Sequence, residues 1–224
     1  SGKRVFTELK LILEEENPTP ALIRLHEYDL LKVIHPSIIL NKDLISLFNS
    51  TRKVIAWYDL LFMEESYMKW AVYFLALIRR CNKDVTDEIS RRFELAPRFQ
   101  KLFSVERFEA EKCLAALERS RSMKNSWLYS RLTGFKLELI LYMMAATERE
   151  SVKKAISQYI TVLRYVKLTV RGRDLKEIGL KPGPIYREIL KAAHEAKLNG
   201  LLPTEKDEWA FVRTYVQKTA SSRR

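Results

Sequence analysis

Met68-Lys69-Trp70-Ala71-Val72-Tyr73-Phe74-Leu75-Ala76-Leu77-Ile78 carries one charge, at Lys69, and is apolar on nearly all sides after it. A segment with no alternation and no turn residue reads as a helix buried all round, the centre of a helical body. Its apolar run, nine residues from Trp70 to Ile78, falls well short of the roughly 18 needed to span a bilayer. Helical period continues on both sides. Upstream, Val5, Leu9, Ile12 and Leu13 form one stripe, closed by Pro18. Thr19-Pro20 reads as an N-cap followed by proline, opening a helix through Leu22 and Leu25, and Ile34-His35-Pro36 reads as a turn. From Asp43 a long helix runs through Leu47, Val54, Trp57 and Leu61, with Asn49-Ser50 the one place where a break is open. Downstream, Val105–Leu117, Leu137–Ala146 and Val152–Tyr165 each repeat apolar residues at helical spacing, and Glu118–Ser126 is a polar connection. Thr86, Ser104 and Thr204 read as N-caps, and only Val166–Val170 suggests an extended segment. The predicted fold is all-α.

Composition agrees. The chain has 224 residues, 47% hydrophobic and 30% charged, too apolar for disorder. Six Gly are too few for the many tight turns of a sandwich or barrel. Two Cys, at 81 and 113, make no disulfide framework, and three scattered His make no zinc cluster. Ser1–Thr7 has charges but no apolar core after them, so neither a signal peptide nor a membrane partner is expected, and the setting is read as cytoplasmic.

Forty Lys and Arg against 28 Asp and Glu give a net charge of +12. Residues 1–149 carry +4 of it and residues 150–224 carry +8. Such a surplus speaks of partners, and nucleic acid leads among them, although basic helix faces also serve solubility. Catalytic motifs are lacking: no Walker or dinucleotide loop, no HExxH, CxxC or GxSxG, and no Asp-x-Asp pair for two metals. Asp84 and Asp87 read as helix-start charges before Ile89, His26 as a helix-surface residue, His35 as a turn residue and His194 as solvent-facing. No catalytic or metal residue is assigned. Trp57, Trp70, Tyr73 and Phe74 read as core; Tyr159, Tyr165 and Tyr186 stand closer to Lys and Arg and are better placed for base stacking, with core packing still the favoured reading for each.

Four of the six Gly and three of the seven Pro fall within 172–203, so the chain after about 170 reads as smaller helices joined by defined turns, with a subdomain boundary expected near 150–170. Asp174 can cap a short helix holding Leu175 and Ile178, stopped by Gly179. Gly183 then caps a helix with Pro184 in its first position. Two helices joined through Pro182-Gly183-Pro184 resemble a helix-hairpin-helix turn. Amides at Gly183, Ile185 and Tyr186 would face a phosphate at the positive helix end. Lys181 precedes them, Arg187 and Lys191 share one helix face, and Arg171, Arg173 and Lys176 lie just upstream. A phosphate site and a plain helix connection both fit this pattern.

Several motifs in order resemble bacterial tRNA nucleotidyltransferases, the CCA-adding enzymes, and their poly(A) polymerase relatives. Arg4-Val5-x-x-Glu8-Leu9-x-x-Ile12-Leu13 is similar to that family's neck helix, and Leu30-Leu31-x-x-Ile34-His35-Pro36 to its body. Gly172-x-Asp174-Leu175, Leu180-x-Pro182-Gly183-Pro184 and Lys197-Leu198-Asn199-Gly200 are similar to its tail. The resemblance implies a neck end at 1–16, a helical body at 17–150 and a basic helical tail at 151–224. It implies a parent enzyme that adds C or A to tRNA 3′ ends from nucleoside triphosphates with magnesium, both bound by an N-terminal catalytic head. The family's catalytic carboxylates would lie upstream of Ser1, so this chain is expected to be a C-terminal piece, inactive alone, whose partners are tRNA or other structured RNA and the head. Outside that resemblance, a helical protein-interaction scaffold and a helix-hairpin-helix DNA binder remain as alternatives.

Overall fold

The computed structural model describes residues 1–221, with side chains described to Gln217. Among the described residues it is all helix, with no strand, and it divides into two compact units. The first comprises Ser1–Arg119 and Phe135–Lys153; the second comprises Ser120–Gly134 and Lys154–Arg224.

In the first unit the all-apolar segment is α5 (Lys69–Leu77), buried at every position from Trp70. Three helices surround it: α1 (Gly2–Glu14), α4 (Lys42–Asp59) and α10 (Leu137–Ala146), the last also apolar and buried almost throughout. α1 docks through Leu9 and Leu13, and through Phe6, whose ring stands 5.5 Å from Trp70 and 5.4 Å from Phe93. α2 (Thr19–Glu27) and α3 (Leu31–Ile34) bury Leu22, Leu31 and Ile34, the last two belonging to the body-like motif. α6 (Lys83–Arg92), α7 (Pro97–Lys101) and α8 (Arg107–Arg119) complete the unit.

Several local expectations need correction. Thr19 is not a cap: α2 begins on it, after Pro18, and its hydroxyl donates to Asn49 Oδ1 at 3.4 Å. α4 runs unbroken through Asn49-Ser50, because buried Thr51 donates to the Leu47 carbonyl at 2.8 Å and keeps its polar group inside the helix. Asn82, not Thr86, caps α6, accepting from the Val85 amide at 2.9 Å. Ser104 lies inside a π-helical turn, Leu102–Glu106, that runs straight into α8. Trp57 is only half-buried. Thr204 does cap: its hydroxyl accepts from Asp207 N at 3.3 Å, while Asp207 Oδ2 accepts from Thr204 N at 2.9 Å.

The second unit contains α9 (Asn125–Leu132), the C-terminal part of α11 (Glu150–Thr161), α12 (Gly172–Glu177), α13 (Pro184–Leu198) and α14 (Glu205–Ser221). Val170, Leu175, Ile189, Ala193, Leu202 and Val212 form its core. Val166–Val170 forms neither helix nor strand: Val166 is extended and Thr169 lies in a bend. α9 joins this unit although composition gave no boundary at Ser120. It buries Leu128 and Leu132, and Asn125 Nδ2 donates to the Leu198 carbonyl at 2.9 Å while Ser126 N donates to Asn199 Oδ1 at 3.0 Å.

Candidate nucleic-acid interface

The division sorts the charge. The second unit holds 18 Lys and Arg against 7 Asp and Glu, net +11; the first holds 22 against 21, net +1. Ser120–Gly134 contributes Arg121, Lys124 and Arg131 with no carboxylate at all.

Three of the second unit's seven carboxylates pair with Lys or Arg within it. Glu208 is 0% exposed and accepts from Thr169 N at 2.8 Å, from Val170 N at 3.1 Å and from the Lys197 ammonium. Burial alone would raise its pKa, but Lys197 and the two amides outweigh burial and hold the carboxyl below its ordinary value. Asp174 accepts from Arg171 N at 2.7 Å and pairs with Arg173 at 3.3 Å; Glu195 lies 4.0 Å from Lys191. Among the described residues Arg171, Lys176, Lys181 and Arg187 form no ion pair, and all four are exposed.

The turn between α12 and α13 is built in steps. Asp174 holds the start of α12 from its third position, rather than capping it. Gly179 takes φ +85°, and the Leu180 amide returns to the Leu175 carbonyl at 3.2 Å, closing the helix. Gly183 caps α13 and Pro184 is its first residue. A Cβ on Gly172 would lie 3.7 Å from the Tyr186 ring, so the start of α12, with Arg171 and Arg173, adjoins the first turn of α13, with Arg187. Lys181 and Gly183 are exposed in the turn between them, and nothing lies within 4 Å of a Cβ on Gly183.

Two expectations fail here. The Tyr186 amide is not open, since it donates to the Gly183 carbonyl at 3.0 Å. The side chains of Ile185 and Tyr186 pack on the unit's core, with Tyr186 Oη donating to the Leu180 carbonyl at 2.7 Å, so these two residues shape the turn. His194 is not solvent-facing either: it is half-buried, with Nε2 3.0 Å from the Val166 carbonyl and its ring edge-on to Tyr129 at 5.0 Å. Of the three candidate stacking tyrosines, Tyr159 is buried, Tyr186 is tied down, and Tyr165 is exposed. Glu208 and α9 escaped sequence reading, although a 15-residue stretch without one carboxylate was a visible signal for the second.

The first unit is near neutral overall. It has a cleft of about 1310 Å³ lined by Asn41, Lys42, Arg79, Arg80 and Arg149. Arg79 donates to the Ala146 carbonyl, Arg80 pairs with Asp43, and Arg149 donates to the Glu118 carbonyl. Its buried Cys81 has its thiol pKa pushed up by burial, against the opposing pull of Arg107, which leaves it a poor nucleophile. Among the described residues no three His, Cys, Asp or Glu gather.

This chain is 34% identical over 211 residues, 92% of its length, to the A-adding tRNA nucleotidyltransferase of Geobacter sulfurreducens. It belongs to the tRNA nucleotidyltransferase and poly(A) polymerase family. Residues 1–40 match that family's model described as the probable RNA and SrmB-binding site of polymerase A. The A-adding tRNA nucleotidyltransferase of Aquifex aeolicus is 25% identical over 86% of the chain. The chain spans 24% and 23% of the lengths of these two relatives. Among solved structures, the Thermotoga maritima CCA-adding enzyme complexed with tRNA superposes with a TM-score of 0.77 at 22% identity, over 96% of this chain and 52% of that one. A CCA-adding enzyme in complex with CTP gives 0.76 at 21% identity, over 98% and 51%. Both share the fold. None of the described helices is long and apolar enough to cross a membrane.

Proposed function

We propose that this chain is the RNA-holding part of a tRNA nucleotidyltransferase and that its second unit grips the tRNA backbone. The observation that carries this reading is the +11 charge of that unit beside the +1 of the first, with Arg171, Lys176, Lys181 and Arg187 exposed and unpaired among the described residues. Cations dispersed over helices suit RNA, whose helices are recognised by shape and phosphate contacts. A single phosphate sits at the turn before α13, met by the Gly183 backbone and Lys181, with Arg187, Lys191, Arg171, Arg173 and Lys176 on its neighbours. The turn acts as a helix-hairpin-helix element in this reading.

A catalytic head outside this chain performs the chemistry in the parent protein, using nucleoside triphosphates and magnesium in a cytoplasmic setting. The curated relatives favour addition of A. Within this chain, residues 1–16 continue the neck, 17–150 form the body and 151–224 the tail.

Competition binding tests this reading: labelled tRNA is challenged with unlabelled tRNA, duplex DNA and an acidic protein. The expected result is displacement by tRNA at the lowest concentration. Equal displacement by duplex DNA would favour a general helix-hairpin-helix binder, and displacement by the acidic protein alone would favour a protein scaffold.

A further inference from the structure

Most large apolar side chains of the second unit are spent in its core, but two beside the turn after α11 are not. Val162 and Tyr165, three residues apart, are 52% and 49% exposed. The backbone beneath them is fixed. Val162 N donates to the Gln158 carbonyl at 2.9 Å, Tyr165 N to Val162 at 3.1 Å, and Val166 N to Leu163 at 3.2 Å. Leu163 between them is buried, and this 3₁₀ turn, Leu163–Tyr165, packs on α9. Two apolar side chains are therefore held out in water by a well-anchored turn.

Two cations stand beside them. The Arg164 guanidinium lies 5.6 Å from the Tyr165 ring centroid, and Lys167 is exposed two residues on. Glu208, which reaches this strand of chain at Thr169 and Val170, is spent on those amides and on Lys197. An exposed aromatic set among cations is what a nucleobase with flanking phosphates needs: the ring face leaves water on stacking, and the charges meet the backbone.

We propose that Tyr165, with Val162 beside it, is a stacking platform for one unpaired base of bound RNA, and that Arg164 and Lys167 hold the adjoining phosphates. This rests on the reading that the chain holds RNA. Every base has a π-face, so the platform selects single-stranded or looped RNA without reading its sequence. A blunt duplex keeps its bases stacked on one another and gains nothing from Tyr165.

The test uses the whole 224-residue chain and two probes, a single-stranded RNA of about 12 nucleotides containing 2-aminopurine and a blunt RNA duplex of the same length. Tyr165→Ala is expected to weaken single-strand binding about tenfold, to abolish the 2-aminopurine quenching and to leave duplex binding within about twofold. Tyr165→Phe is expected to retain both affinity and quenching. Unchanged single-strand affinity and quenching in Tyr165→Ala overturns the platform while the RNA-holding reading stands. Equal loss on both probes overturns it too, since stacking is then not what Tyr165 supplies. Failure of the wild type to bind either probe overturns the RNA-holding reading and the platform with it.

Discussion

Arg107 carries its charge into the first unit's core with 0% exposure. Its guanidinium donates to the carbonyls of Phe103 at 3.0 Å, Arg79 at 3.1 Å and Cys81 at 2.7 Å, to Thr86 Oγ1 at 3.2 Å, and to Glu111 at 2.8 Å. Glu111 also accepts from Tyr142 Oη at 2.9 Å. Carbonyls just past the end of α5 thus find donors they would otherwise lack. Arg107→Met leaves those carbonyls without their donor and Glu111 without its cation, and is expected to cost about 3–5 kcal/mol. Chemical denaturation followed by circular dichroism would show it, and a loss under about 1 kcal/mol would mean the network is replaceable. Glu208 plays the corresponding part in the second unit, with a pH signature. Its folded pKa is depressed below the ordinary 4.5, so its contribution is fully present above that value and is lost as pH falls through the folded pKa. The melting temperature of Glu208→Gln should therefore lie below that of the wild type at pH 7, with the gap closing as pH falls below 4.5 and through the folded pKa. A gap independent of pH would contradict the ionic role. Neither residue was legible in the sequence, because a lone Arg or Glu within a helical pattern reads as surface unless its buried partners are known.

At the scale of elements, two glycines of the turn between α12 and α13 separate conformation from access. Gly179 sits at φ +85° with open space around it, so Gly179→Ala pays only the left-handed backbone cost, about 1 kcal/mol. Gly183 has φ 173°, extended backbone that any residue adopts, and equally open space. Gly183→Ala is expected to leave the melting temperature unchanged while weakening tRNA binding severalfold, because its methyl group stands where the phosphate approaches. Unchanged affinity would place the phosphate elsewhere. The helices themselves were readable: α5, α10 and the start of α13 follow from apolar runs and from proline and glycine positions. Two of the errors share one cause. Asn49-Ser50 read as a place for a break and Thr86 as a cap, yet Thr51 and Thr86 each satisfy the hydroxyl on the carbonyl four residues back, at 2.8 Å, and stay mid-helix. In the turn, the charged residues were readable, but the contribution of Tyr186 was not, since whether an aromatic stacks or packs depends on what covers it.

Over the whole molecule, charge and architecture divide together, +11 on the second unit and +1 on the first. The sequence alone placed the surplus towards its C-terminal third but missed the part supplied by Ser120–Gly134, because that stretch is remote along the chain and joins its unit through Leu128, Leu132, Asn125 and Ser126. If this unit holds tRNA through phosphates, binding must release counterions in proportion to the contacts made. The dissociation constant of the chain for tRNA, measured from low to moderate salt for the wild type and for the Lys181→Ala/Arg187→Ala double variant, tests this most directly. With about five phosphates neutralised, log affinity should fall against log salt with a slope of roughly −3.5 to −4.5, and the double variant should flatten it by about 1.4 to 1.8 with helicity unchanged. A wild-type slope near zero, or a double variant with the wild-type slope and affinity, would contradict the account.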